Sequence, residues 1–120
     1  MSVRVGRMAE QAAADWLFAN GYRVVGNNVR VGHDEIDLLA LQDTRLVVVE
    51  VRTRAPGSYE TALASVSVRK RERIKRAAQR AFSAWVLAWP EIERVRYDVI
   101  CVTLSGSAPT RVEHIEGAFV

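Results

Sequence analysis

Cysteine occurs once, at Cys101, so an internal disulfide is excluded. Lysine is almost as scarce, with only Lys70 and Lys75; arginine supplies the rest of the 17 basic residues. No apolar run approaches the roughly 18–20 residues that span a bilayer. The longest surrounds Phe82 to Trp89 and is broken by Ser83. Near the N-terminus, Glu10 and Asp15 interrupt any apolar stretch, which argues against a signal peptide. There is no internal repeat, no low-complexity segment, no phosphate-cradling loop, no Ser-His-Asp set and no zinc spacing. His33 and His114 stand too far apart in the chain to form a metal-ligand motif. These absences leave a soluble, cytoplasmic protein as the expectation, with residues 1–120 forming one domain.

What is present fits that frame. The 120 residues are 49% hydrophobic and 26% charged, enough apolar material for one core and too much for a disordered tail. Net charge is +3 and the pI is about 9.5. The distribution is more informative than the total. Residues 69–80 carry seven basic side chains against Glu72, a local charge of +6, so the remainder sums to −3. That remainder includes a tight acidic group, Asp34, Glu35 and Asp37, followed by Glu50.

Periodicity predicts a helix over 5–20, with Gly6, Ala9, Ala13, Trp16 and Leu17 on one side and Asn20-Gly21 as its stop. Residues 22–31 read as a strand irregular near Gly26, and 34–42 and 45–52 as two stronger strands. The run Leu46 to Val49 is apolar on both faces, as a central covered strand requires. A Pro-Gly loop over 53–65 leads to a helix over 68–88, with Ser67 as N-cap and Pro90 beyond its end. Residues 94–104 read as a strand and 110–115 as a short edge strand. The order α-β-β-β-α-β-(β) predicts an α/β fold, a mixed sheet with helices on both faces. The tryptophans Trp16, Trp85 and Trp89 read as core, and Cys101 as an inert buried thiol.

If Asp43-Thr44 is a two-residue hairpin loop, cross-strand partners have numbers summing to 87. Leu39 then faces Val48, Asp37 faces Glu50 and Glu35 faces Arg52. Two carboxylates so placed have Cβ atoms about 4.5–5.5 Å apart. At an effective dielectric of about 20 they repel by roughly 3 kcal/mol. A divalent cation offsets that repulsion, and Mg²⁺ is commonly held by one or two carboxylates with water and phosphate oxygens. The alternative pairs Asp37 or Glu50 with an arginine, or leaves one at a solvated strand end.

The segments Glu35-Ile36-Asp37-Leu38-Leu39-Ala40 and Val48-Val49-Glu50-Val51-Arg52 resemble the D…E-x-K core of restriction-endonuclease-like nucleases. The whole chain more closely resembles the YraN-like family of small bacterial proteins, related to archaeal Holliday-junction resolvases. The likeness runs through Gly6, Glu10, Ala13, Leu17 and Gly21-Tyr22, then Asn28 and Arg30, the acidic hairpin, Val66 and Lys70, Arg96-Tyr97-Asp98-Val99, and His114-Ile115-Glu116 with Ala118-Phe119. The resemblance implies a three-layer α/β/α restriction-endonuclease-like core acting on DNA with Mg²⁺ or Mn²⁺. Asp37 and Glu50 would be the metal ligands, with the Val51 carbonyl as a third, and Glu10 would approach from the first helix. Symmetric junction substrates would suit a twofold homodimer. Asp98 matches the pattern without a chemical role that the sequence supplies.

One position departs from the pattern: Arg52 stands where the family carries lysine. Arginine stays protonated and cannot serve as a base, yet it can stabilise charge developing on a phosphate. Its other reading is a cross-strand ion pair with Glu35. Lys70 offers compensation. On a helical wheel it shares the sheet-facing stripe of Ile74, Ala77, Ala81 and Ala88, so it points toward the carboxylates unless it snorkels to solvent. Arg69, Arg73, Arg76 and Arg80 form a separate flank, either a solvated face or a surface for backbone phosphates, with Arg54 as a further contact. Tyr59, in the Pro-Gly loop, is a weaker candidate for touching substrate. Endonuclease is the expected function. The alternatives are a nucleic-acid-binding or accessory protein with a decayed site, motivated by Arg52, and an interaction scaffold.

Overall fold

Small and apolar residues three and four apart wind Val3–Ala19 into helix α1, whose buried stripe is Ala9, Ala13 and Leu17. The helix stops at Asn20-Gly21. Gly21 takes φ +84°, and the Tyr22 N–H returns to the Leu17 carbonyl at 2.9 Å. Left-handed backbone of this kind is accessible to glycine and resisted by side chains with a Cβ. The computed structural model describes residues 3–58, 60–106 and 108–120; Tyr59 lies outside the described residues.

Five strands follow the first helix: β1 (Arg23–Val31), β2 (Asp34–Gln42), β3 (Arg45–Arg54), and, after helix α2 (Val68–Ala88), β4 (Arg94–Ser105) and β5 (Ala108–Phe119). They form one sheet in the order β1-β2-β3-β4-β5. The β3/β4 pair is parallel and the other pairs are antiparallel. A parallel neighbour needs a long crossover, and α2 provides it. Ser67 caps α2, its Oγ accepting from the Lys70 N–H at 3.1 Å. At the other end, the Trp89 N–H closes the helix onto the Trp85 carbonyl at 2.7 Å before Pro90.

Alternation along the strands divides the core. Leu39, Leu41, Leu46, Val48, Val99 and Cys101 pack with Ile74, Ala77, Ala78 and Trp85 of α2. Leu38, Ala40, Val47, Val49, Ile100 and Val102 pack with Ala9, Ala13 and Leu17 of α1. The result is a three-layer α/β/α architecture built on a mixed sheet.

Three expectations need correction. The last strand runs over Ala108–Phe119 rather than 110–115. It pairs with β4 from Ser105↔Ala108 to Tyr97↔Phe119, through two register shifts. As an edge strand it carries half-exposed and charged residues, which blurs the pattern in sequence. Trp16 is 37% exposed and sits at the rim of α1, not in the core. Ala88, expected on the sheet-facing stripe, is exposed at the end of α2.

Candidate active site

The site is built where β2 and β3 part. Asp43, with φ 54°, and Thr44 make the two-residue turn, and Gln42↔Arg45 through Leu38↔Val49 follow in the expected register. The ladder ends there. In place of the next rung, the Val51 N–H donates to Asp37 Oδ2 at 2.8 Å. The Asp37 side chain thus takes over a backbone hydrogen bond, and strand alternation breaks around it. Ile36 packs on the α2 side with Leu39, although Leu38 packs on the α1 side.

Glu50 lies on the α2 face, one residue beyond the buried Val47–Val49 run, and is itself only 4% exposed. Burial first, then the neighbouring Asp37 charge and a carboxyl–carboxyl hydrogen bond to Asp37, push its pKa up to about 8; Lys70 and Arg52 pull the other way. Such a hydrogen bond needs one shared proton, because adjacent like charges cannot both ionise cheaply. Lys70 reaches the pair from the first turn of α2, with Nζ 3.8 Å from Glu50 Oε1. Ser67 makes this possible by fixing where the helix begins.

Glu10, on α1, lies on the other side of Asp37. Burial, then the charges of Asp37 and Glu35, raise its pKa, while a hydrogen bond from Asn28 and the charge of Arg7 oppose the rise. With its amide nitrogen turned to the acids, Asn28 donates to Glu10 Oε2 at 2.8 Å and to Glu35 Oε1 at 3.2 Å. Glu35 is therefore engaged with β1. Among the described residues no ion pair joins it to Arg52, because the β2/β3 ladder has already ended at Leu38↔Val49. Arg52 has its Nε buried without a hydrogen-bond partner among the described residues.

Two clefts flank the acids. One, of about 290 Å3 between α1 and β1, is lined by Arg7, Glu10, Asn27 and Asn28. The other, of about 210 Å3 between the β1–β2 turn and α2, is lined by His33, Asp34, Glu35, Lys70 and Arg73. Arg69, Arg73, Arg76 and Arg80 are all exposed along α2. Arg54 is placed differently. Its guanidinium is bound internally, to the Glu60 carbonyl at 3.0 Å, Glu113 Oε1 at 3.3 Å and Thr103 Oγ1 at 3.4 Å.

Among the described residues, no three His, Cys, Asp or Glu side chains gather at metal-ligand spacing. Asp37 and Glu50 offer hard carboxylate oxygens joined by a side-chain hydrogen bond. That donor set fits Mg²⁺ or Mn²⁺, which complete their shells with water and phosphate oxygens, and does not fit a soft metal.

A second polar cluster was not legible beforehand. Asp98, fully buried, accepts from Arg96 Nε at 2.9 Å, Arg96 Nη2 at 2.8 Å and the Gly117 N–H at 2.9 Å, and lies 2.7 Å from His114 Nε2. Burial alone would raise its pKa; the hydrogen bonds from His114, Arg96 and Gly117 outweigh burial and hold the carboxyl below its ordinary value. Tyr22 receives Arg96 Nη2 at 2.6 Å and donates to Glu116 at 2.9 Å, while Trp16 Nε1 donates to His114 Nδ1 at 3.3 Å. The cluster braces α1 against β4 and β5. Its members span positions 16 to 117, so only their polarity within apolar segments signals them.

Comparison with known proteins identifies the family of the chain. The model of the uncharacterised protein family UPF0102 matches residues 9–102. A UPF0102 protein of Sorangium cellulosum is 41% identical over 115 residues, covering 96% of this chain and 80% of its own length. A UPF0102 protein of Prosthecochloris aestuarii is 38% identical over 120 residues, covering 96% and 92%. One from Frankia casuarinae is 39% identical over 116 residues, covering 96% and 95%. With its matched span running from α1 into β4, the chain belongs to the UPF0102 family.

Proposed function

We propose that this protein is a metal-dependent endonuclease that hydrolyses phosphodiester bonds in DNA, with branched or structured DNA as the preferred class. The observation that carries the reading is Glu50. A carboxyl held at 4% exposure in an apolar strand, against Asp37, is a poor choice for stability alone. It is a good choice for gripping a doubly charged ion. Asp37 and Glu50 would hold Mg²⁺ or Mn²⁺, with the Val51 carbonyl as a third oxygen. When bound, such a cation polarises a phosphodiester and lowers the pKa of a neighbouring water.

The remaining work belongs to the chain's own groups. The Val51 N–H fixes Asp37 so that its carboxylate does not rotate away. Lys70, 3.8 Å from Glu50, would neutralise charge on a phosphate beside the acids. Arg52 holds a donor in reserve at the same face and can stabilise the charge that builds on the phosphoryl oxygens. Glu10 adds negative field from α1. Arg69, Arg73, Arg76 and Arg80 would track backbone phosphates, which makes binding salt-dependent and indifferent to sequence.

The test is cleavage of a panel of duplex, single-stranded, flapped and four-way-junction DNAs with Mg²⁺ or Mn²⁺. Cutting should require the metal and vanish in Asp37→Asn and Glu50→Gln. Cutting that survives both substitutions contradicts the proposal. Arg52 supports a second reading, a DNA-binding accessory protein without turnover. That reading predicts salt-sensitive binding, no cleavage by the native chain, and strong cleavage gained by Arg52→Lys.

A further inference from the structure

We propose that Asn28 is a positioning residue of the acidic site, holding Glu10 and Glu35 in place around Asp37. The inference rests on the reading of Asp37 and Glu50 as cation ligands and deepens it. Asn28 and Asp43 are the non-glycine residues with positive φ among those described. Asp43 sits in a hairpin turn, where such backbone is ordinary. Asn28 takes φ 47° inside β1, where it is not. Left-handed backbone is costly for most L-residues, and asparagine is among the few that visit it readily.

The register explains what the distortion achieves. Asn27↔Leu38 and Val29↔Ile36 are paired, which leaves Asn28 across from Asp37, the residue at which β2 also loses its alternation. The two neighbouring strands are therefore disturbed at the same level. Turned out of the ladder, and with its nitrogen toward the acids, the Asn28 amide donates to carboxylates on two different elements, Glu10 of α1 and Glu35 of β2. Both are acids beside a third, and each would swing away from Asp37 if nothing held it.

Residue type follows from the task. Aspartate would tolerate the backbone but would present a fourth negative charge. Glycine would tolerate it without any donor. Serine would offer one donor rather than two. Asparagine alone supplies a neutral, two-pronged donor on a short stem in left-handed backbone. The consequence is a fixed electrostatic wall on the α1 side of the cation, made by Glu10.

The test uses Asn28→Gly, which keeps the backbone and deletes the amide, alongside Glu10→Gln and the double variant. Mn²⁺ binding to the metal-free protein is measured by calorimetry, with thermal melting as a check on folding. Asn28→Gly should weaken Mn²⁺ about tenfold, in the range found when groups that orient metal ligands are removed. Its melting temperature should stay within a few degrees of the parent. In the Glu10→Gln background the same substitution should cost little more, because Asn28 acts on the cation chiefly through the field of Glu10. Unchanged Mn²⁺ affinity in Asn28→Gly overturns the proposal, and so do independent, multiplying effects in the double variant. A loss of more than about 10 °C on Asn28→Gly would make the amide a folding element and also overturns it. A parent protein that binds no Mn²⁺ removes the cation site itself, an outcome separate from a binding parent with an indifferent Asn28.

Discussion

Replacing Glu50 with glutamine should make the metal-free protein more stable while abolishing the chemistry proposed for it. Unfolded, Glu50 loses its proton near the ordinary value of 4.5; folded, it keeps the proton to about 8. Between those values the folded state binds more protons than the unfolded state, so stability falls as pH rises. Below about 4.5 both states are protonated and the group contributes no slope. Above about 8 both are ionised and the slope ends. At about 1.4 kcal/mol per pH unit, the full penalty is on the order of 5 kcal/mol, of which about 4 kcal/mol is present at pH 8. Glutamine has nearly the same shape, can still hydrogen-bond to Asp37, and carries no charge to desolvate. Glu50→Gln should therefore match the parent near pH 5 and exceed it by roughly 2–4 kcal/mol at pH 8. Urea unfolding followed by tryptophan fluorescence, in chelator, from pH 5 to 8, measures this directly. Glu10, Asp98 and the other titrating groups are common to both proteins, so the difference isolates Glu50. Parallel pH profiles for the two would refute the reasoning. Adding Mg²⁺ should restore stability to the parent and leave the variant unchanged.

The buried brace around Asp98 should behave in the opposite sense. Asp98→Ala strands the Arg96 guanidinium and should cost about 3–5 kcal/mol, read as a fall in the urea midpoint. Because the Asp98 pKa is lowered on folding, its contribution is present above the ordinary carboxylate value and fades as pH drops below it. At the active face, Arg52→Ala should reduce cleavage by about 100-fold, as expected for losing one donor to developing charge, whereas Arg52→Lys should keep cleavage within about tenfold of the parent. Single-turnover assays at saturating protein distinguish the two. Along α2, Arg73→Ala and Arg76→Ala should each reduce the slope of log K against log salt by about 1 without changing sequence preference.

Much of this site was legible in the sequence because it depends on local rules. The Asp43-Thr44 turn fixed the register by arithmetic, and that register brought Asp37 toward Glu50. Helical periodicity and the Ser67 cap were enough to aim Lys70 at the sheet. What stayed hidden depends on contacts between distant elements. Nothing local announces that the Asp37 side chain will replace a rung of the ladder, so the same arithmetic overran and paired Glu35 with Arg52. Asn28 hides in a strand whose legible irregularity lies at Gly26, two residues earlier, and its left-handed backbone follows from the acids it meets on α1 and β2. The Asp98 brace needs Trp16, Tyr22, Arg96, His114 and Gly117 at once, drawn from α1, the segment that follows it, β4 and β5. Trp16 shares the wheel position of a core residue, but its indole N–H is drawn to His114 at the rim.

The central claim is that Asp37 and Glu50 together grip one divalent cation. Calorimetric titration of the metal-free protein with Mn²⁺, without DNA, tests it most directly. One site per chain is predicted, lost in Asp37→Asn and in Glu50→Gln and retained in Asp98→Asn, which lies on the other face of the sheet. Binding that persists unchanged in both carboxylate variants, or no binding by the parent at all, would contradict the account.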